Sequence, residues 1–229
     1  MSLLDKFKEQ FTDRDDEYED EEYEEEYKFE MGLVGEYNLY NVLGCVASAL
    51  SFGIKMNDII KKLETMPAVP GRFETIKNNI EARIVVDFAH TDDGLLNVGK
   101  TLKQITDNQV ITIFGAGGDR DHEKRPKMAK AAIQFSDYII LTSDNPRTEN
   151  PINILADIEK GLIDEKYPFD KYLIISDRER AIKHGIKLLK KGDSLLIAGK
   201  GHENYQIIGT QKIHFDDREE ARNIIRKCR

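Results

Sequence analysis

The chain has 229 residues, 40% hydrophobic and 33% charged, with a formal net charge of −8. That is enough apolar material for one sizeable core, and a net −10 between Asp13 and Glu26 accounts for the acidity, leaving about +2 elsewhere. No basic block marks a nucleic-acid protein, no eighteen-residue apolar run marks a membrane span, and two cysteines without metal-ligand spacing, Cys45 and Cys228, fit a reduced, cytoplasmic protein.

Residues 1–30 read as an acidic tail. Met1 to Phe11 places Leu3, Leu4, Phe7 and Phe11 on one face of a short helix, so residues 1–12 are expected to touch a membrane surface weakly. Asp13 to Tyr27 is expected to be disordered, because like charges repel and little is available to bury. Two helices follow. "NLYNVLGCVASAL" is apolar at helical spacing, and Gly53 marks its stop. "MNDIIKKLETM" is the second, with Asn57 as its expected N-cap, and "PAVPGRF" then breaks the pattern.

From Ile80 onward, strands and helices alternate. "RIVVDF", "QVITIFG", "DYIILTS", "YLIIS" and "SLLIAG" are short, apolar on both faces and rich in Ile, Val and Leu. That is the pattern of buried parallel strands. Helices are expected over Asp93–Ile105, Lys124–Phe135, Pro151–Gly161 and Asp177–Lys190. "YQIIG" and "QKIHF" predict a hairpin. "DDREEARNIIRKC" predicts a last helix with Asp216 as N-cap. The units define an α/β fold, a doubly wound and mostly parallel sheet. The domains are expected at 1–30, 31–78 and 79–229.

Ligands bind beyond the carboxyl ends of the strands in such a sheet. Four polar loops sit there: "DFAHTDD", "GAGGDRDHEKRP", "SDNPRTE" and "AGKGHENY". Each alone has a plainer reading. The glycines serve a tight turn, and their spacing is neither GxGxxG nor a P-loop. Asp144 and Thr148 cap a helix, His202 is a satisfied loop residue, and Arg125 is a charge at a helix start. Four such loops on one edge point to a site more strongly than any one of them.

Taken in order, "DFAHTDDGL", "GAGGDRDHEKRP", "SDNPRTE", "AGKGHENYQ" and "FDDREEA" resemble the C-terminal domain of the Mur ligase family, in its MurE-type, diaminopimelate-adding branch. Upstream, "GEYNLYNVLGCVASAL" and "VPGRFE" resemble the end of that family's central ATP-binding domain, so residues 31–78 would be a helical remnant of it. Residues 1–27 resemble the start of SepF-type division proteins. The family resemblance implies ATP-dependent amide-bond formation on UDP-MurNAc-L-Ala-D-Glu, with meso-diaminopimelate as the incoming amino acid and ATP and Mg as cofactors. It assigns Asp144, Asn145, Pro146 and Arg147, the "DNPR" motif, to the amino acid, together with Arg120, Gly199 and Glu203. Arg147 would grip the distal carboxylate that lysine lacks. Asn41, Arg72, Asp87 and His90 would face the nucleotide. One departure is Asp92, where the family usually has proline.

No GxxxxGK[ST] occurs in these 229 residues. Phosphoryl transfer depends on positioning the γ-phosphate and Mg²⁺, so the chain is expected to be inactive alone. Three outcomes stay open at this stage: a truncated ligase domain complemented by an N-terminal and central Mur ligase part, a non-catalytic scaffold of envelope or division machinery, or a relic of a gene fusion.

Overall fold

A computed structural model describes residues 26–30, 33 and 35–227. The chain divides into two compact units, residues 1–30 and 31–229. In the first, residues 26–30 carry no regular secondary structure, and Lys28 Nζ lies 3.2 Å from Glu26. The amphipathic helix expected over residues 1–11 lies outside the described residues, as does most of the acidic stretch.

The second unit opens with two helices, α1 (Glu36–Ser51) and α2 (Met56–Glu64). Gly53, at φ 76°, follows the end of α1. Asn57 is not the N-cap of α2. That position falls to Lys55, in extended conformation and without a side-chain cap, so Asn57 lies inside the helix. Among the described residues no helix is long and apolar enough to cross a membrane.

The sheet has six strands: β1 (Glu74–Ile76), β2 (Arg83–Asp87), β3 (Val110–Phe114), β4 (Tyr138–Leu141), β5 (Tyr172–Ile174) and β6 (Ser194–Ala198). Their order is β1-β2-β6-β3-β4-β5, parallel throughout except for β1. The apolar pattern does not announce β1, because this three-residue edge strand buries only Ile76. Both faces are covered, as doubly apolar strands require. Helices α3 (Asp92–Gln104), α4 (Lys124–Ile133) and α5 (Pro151–Asp164) pack on one face with Val85, Phe114, Leu141 and Leu196. Helices α6 (Arg178–Leu188) and α7 (Asp217–Lys227) cover the other with Val86, Ile113, Ile140 and Ile197. Successive residues of one strand thus enter opposite cores, and full burial of each large aliphatic side chain contributes about 1.5–3 kcal/mol. A hairpin, β7 (Tyr205–Ile208) and β8 (Gln211–His214), stands apart from the sheet.

Local chemistry sets the helix starts. Thr91, Asn150 and Asp177 accept N–H hydrogen bonds as N-caps of α3, α5 and α6. Asp216 accepts from the Arg218 N–H at the start of α7. Asp92, the departure from the family pattern, lies in the first turn of α3, where a negative charge meets the positive end of the helix. Helix α5 runs past its expected stop at Gly161. That glycine is a packing residue: a Cβ there would lie 2.2 Å from the Pro126 carbonyl oxygen on α4.

Candidate functional site

The register aligns the strand ends. Asp87 of β2 pairs with Ala198 of β6, and Phe114 of β3 pairs with Leu141 of β4. The four polar loops therefore leave the sheet at one level. Between them lies a cavity of about 380 Å³ lined by Arg120, Asp144, Asn145, Arg147, Gly199 and Glu203, with His90 and Phe88 at one side. The structure thus gathers six residues of the expected amino-acid set. Pro146 does not line the cavity; it is buried, and its carbonyl accepts from the Glu149 N–H at 3.1 Å.

The loop after β4 is held from several sides. Asn145 Oδ1 accepts from the Ile207 N–H at 2.9 Å, and Asn145 Nδ2 donates to Glu203 Oε2 at 3.1 Å. Gln206 Nε2 donates to the Asp144 carbonyl at 2.7 Å. Arg147 sits at φ 53°, which costs a non-glycine residue about 1–3 kcal/mol. The hairpin holds it there: the Arg147 N–H donates to the Ile207 carbonyl at 3.0 Å, and the Gly209 N–H donates to the Arg147 carbonyl at 2.7 Å. Its guanidinium Nη1 donates to the Gly118 carbonyl at 2.8 Å. Gly199 has φ 116°, and a Cβ there would come within 2.7 Å of Asp144 Oδ2. The site therefore requires glycine at this position for backbone conformation and for space.

Two buried arginines brace the loops. Arg125, read from sequence as a helix-start charge, is instead 1% exposed. It grips Glu149 with two hydrogen bonds of 2.6 and 2.7 Å, reaches Asp157 at 3.0 Å, and donates to the Gly117 carbonyl at 3.3 Å. Arg178 grips Asp217 at 2.7 and 2.8 Å. It also donates to the carbonyls of Ser143 and Ala198, one residue before Asp144 and Gly199. A single apolar helix stripe predicts none of these contacts.

The Asp157 carboxyl is held down at about 2, chiefly by the hydrogen bond from Lys160, with burial opposing and His122 and Arg125 assisting. An unfolded aspartate titrates near about 3.9. The folded value is depressed, so the stability it contributes is present above pH ~4 and lost as pH falls to ~2. Thermal melts at pH 7, 4 and 2 check this: Asp157→Asn should show a smaller fall in Tm between pH 4 and pH 2 than the parent chain.

A second, more apolar cavity of about 730 Å³ lies beside the first. Asn41, Arg72 and Asp87 line it, with Val42, Leu63 and Val98. Asp87 is 3% exposed and accepts N–H bonds from Phe73 and Ala89, both 2.7 Å. Burial pushes its carboxyl above the ordinary range, against those two bonds and the Arg72 charge. His90, expected on the nucleotide side, lines the other cavity. Beyond the end of β2 at Asp87, the side chains continue to alternate: Asp87 and Ala89 line the larger cavity while Phe88 and His90 line the smaller.

The larger cavity suits a nucleoside: apolar walls for a base, a carboxylate for hydroxyl groups and a guanidinium for phosphate. It does not suit Mg²⁺ in the same way. Among the described residues, the one group at metal-ligand spacing is His122, Glu149 and Asp157. The Arg125 guanidinium already occupies it, and none of the three lines this cavity.

A doubly wound sheet whose carboxyl edge carries two such cavities is an α/β ligand-binding domain. Residues 71–201 match the family described as Mur ligase, glutamate ligase domain, and the chain belongs to the Mur ligase family. It is similar to the UDP-N-acetylmuramoyl-L-alanyl-D-glutamate–2,6-diaminopimelate ligase of Fusobacterium nucleatum subsp. nucleatum, with 50% identity over 199 residues, covering 86% of this chain and 40% of the relative. The ligase of the same name from Geobacillus kaustophilus is 46% identical over 198 residues, again 86% of this chain and 40% of the relative. A solved structure bearing that ligase name aligns with a TM-score of 0.67 at 40% identity, over 88% of this chain and 41% of that one. The Thermotoga maritima UDP-N-acetylmuramate-alanine ligase, at 18% identity and a TM-score of 0.63 over 89% of this chain and 40% of that one, shares the fold. These matches bear out the family resemblance and the fold class. The chain spans about 40% of the length of the curated relatives it matches. The likeness of residues 1–27 to division proteins finds no support among them.

Sequence reasoning passed over Lys200, Arg178 and Tyr205. Only Lys200 carried a signal, as a cation enclosed in "GKGHE" between two glycines and a glutamate.

Proposed function

We propose that this chain is the amino-acid-accepting part of a meso-diaminopimelate ligase. Its role is to hold the incoming amine for amide-bond formation on UDP-MurNAc-L-Ala-D-Glu. The convergence of Arg120, Asp144, Asn145, Arg147, Gly199 and Glu203 on one cavity carries this reading. Carboxylates and guanidinium groups on opposing loops complement a ligand bearing ammonium and carboxylate at both ends. Asp144 and Glu203 accept from an ammonium, and Arg147 takes the distal carboxylate in a fork. The neighbouring cavity takes the adenosine part of ATP through Asn41, Arg72 and Asp87. ATP supplies the phosphoryl group that activates the acceptor carboxylate. Among the described residues no cluster of three metal-ligating side chains lines that cavity, and no P-loop occurs in the 229 residues. An N-terminal and central Mur ligase part is the partner that would complete the reaction.

Two measurements test the reading. The labelled full chain is titrated with meso-diaminopimelate, and the amide signals of Asn145, Arg147 and Glu203 should move. No response at those residues would overturn the assignment. The full chain with ATP, UDP-MurNAc-L-Ala-D-Glu and meso-diaminopimelate should form no tripeptide until separately produced N-terminal and central domains of a MurE-type ligase are added. Turnover of about 1 s⁻¹ or more by the chain alone would contradict the need for a partner.

A further inference from the structure

Lys200 is 0% exposed, yet its ammonium lies inside the cluster of groups assigned above to the amino acid. Nζ donates to Asn145 Oδ1 at 3.2 Å and to Glu203 Oε2 at 3.3 Å, and it lies 3.9 Å from Asp144 Oδ1. The Tyr205 ring closes the enclosure, its centroid 5.5 Å from Nζ. An ammonium this deeply buried is unfavourable without partners, and here both carboxylate partners belong to the cavity lining.

Two carboxylates sharing one cavity repel. A buried cation between them offsets that repulsion. We propose that Lys200 is the charge-balancing and positioning residue of the amine subsite: it holds Asp144, Asn145 and Glu203 together and leaves the subsite one negative charge for one substrate ammonium. This rests on the amino-acid reading given above.

The hydrogen bonds agree with that role. Glu203 Oε2 is taken by Lys200 and Asn145, and Oε1 by the Tyr205 hydroxyl at 3.3 Å. Asn145 Oδ1 receives both Lys200 and the Ile207 N–H, which fixes its amide so that Nδ2 points at Glu203. The Glu203 charge, more than burial, pushes the Tyr205 hydroxyl above its ordinary range. The same cavity is also lined by Arg147, Arg120, Lys124 and Arg125, with Asp121 and His90, and Arg178 behind the loops feels both Asp144 and Glu203. Arg178 is already committed to Asp217, so Lys200 is the cation that contacts both cavity carboxylates.

The experiment measures binding of meso-diaminopimelate to the full chain by calorimetry at pH 7, comparing the parent chain, K200M, E203Q and K200M/E203Q. K200M and E203Q should each bind about 10-fold or more weakly than the parent. K200M/E203Q removes the cation and one carboxylate together and keeps the subsite at one negative charge, so it should bind no more weakly than K200M. A purely structural lysine would make the two losses multiply to about 100-fold in the double variant, and that result overturns the proposal, as does a K200M affinity matching the parent. If K200M does not fold, recovery of folding in K200M/E203Q supports the charge balance, and failure of both to fold overturns it. Failure of the parent chain to bind at all refutes the amino-acid reading instead, so the two failures are distinct.

Discussion

Arg147→Lys should erase the preference of this chain for meso-diaminopimelate over lysine. The two amino acids share an ammonium at each end, and only meso-diaminopimelate adds a distal carboxylate. A guanidinium meets that carboxylate with two parallel charge-assisted hydrogen bonds. At about 1.5–3 kcal/mol each, they predict a preference of about 10²- to 10⁴-fold in the parent chain. An ammonium at the same place is a point charge without the fork, so the ratio should fall to within about 10-fold. Lysine is a fair replacement at this backbone position. Both side chains are non-glycine at φ 53°, and the hairpin contacts that hold the residue are main-chain bonds. Calorimetric titration of both variants with both amino acids measures the ratio. A ratio that survives the substitution would remove Arg147 from the specificity argument.

Asp217→Ala should be the most damaging single change for stability. Asp217 and Arg178 are both 0% exposed at the side chain, and truncating one partner strands the other's charge in the core. Removing half of such a pair costs about 3–5 kcal/mol, a large part of the about 5–15 kcal/mol that holds a typical domain. Urea unfolding should show the midpoint shift. The comparison is Lys130→Ala, whose pair with Glu165 is 3.0 Å long but 40% and 50% exposed, and which should leave the midpoint nearly unchanged because solvent screens the pair. A loss of under about 1 kcal/mol for Asp217→Ala would show the buried pair to be dispensable. Arg178 donates to the Ser143 and Ala198 carbonyls, so the damage should also reach the ligand loops.

Much of the fold was legible because period-2 and period-3.6 patterns are imposed by burial. Four strands packed on both sides read as apolar runs, and the helices between them read as stripes. β1 was not legible, because an edge strand with one buried residue leaves no pattern. Gly161 misled for a related reason: a glycine that ends a helix and one that lets two helices touch are identical in sequence. For the site, the polar loops after the strands could be placed at one edge, since parallel strands share their carboxyl ends. The braces behind them could not. Arg125 meets Glu149 and Asp157 from positions 24 and 32 residues away, and Arg178 meets Asp217 from 39. No local pattern encodes such distances. His90 shows the opposite limit: four residues from Asp87 to His90 look like one motif, but their side chains alternate between two cavities.

That alternation makes the stretch from Asp87 to His90 tolerant of one kind of genetic change and intolerant of another. A substitution at Asp87 acts on the nucleoside-sized chamber and leaves the facing side chains of the other in place. Deleting or inserting a single residue would exchange the two sets, because a one-residue slip turns every side chain to the opposite side. The buried carboxylate would then enter the chamber already holding Asp144 and Glu203, and the larger chamber would lose its carboxylate. Descendants of this sequence can therefore retune either chamber one position at a time, but the spacing between β2 and α3 cannot drift without losing both.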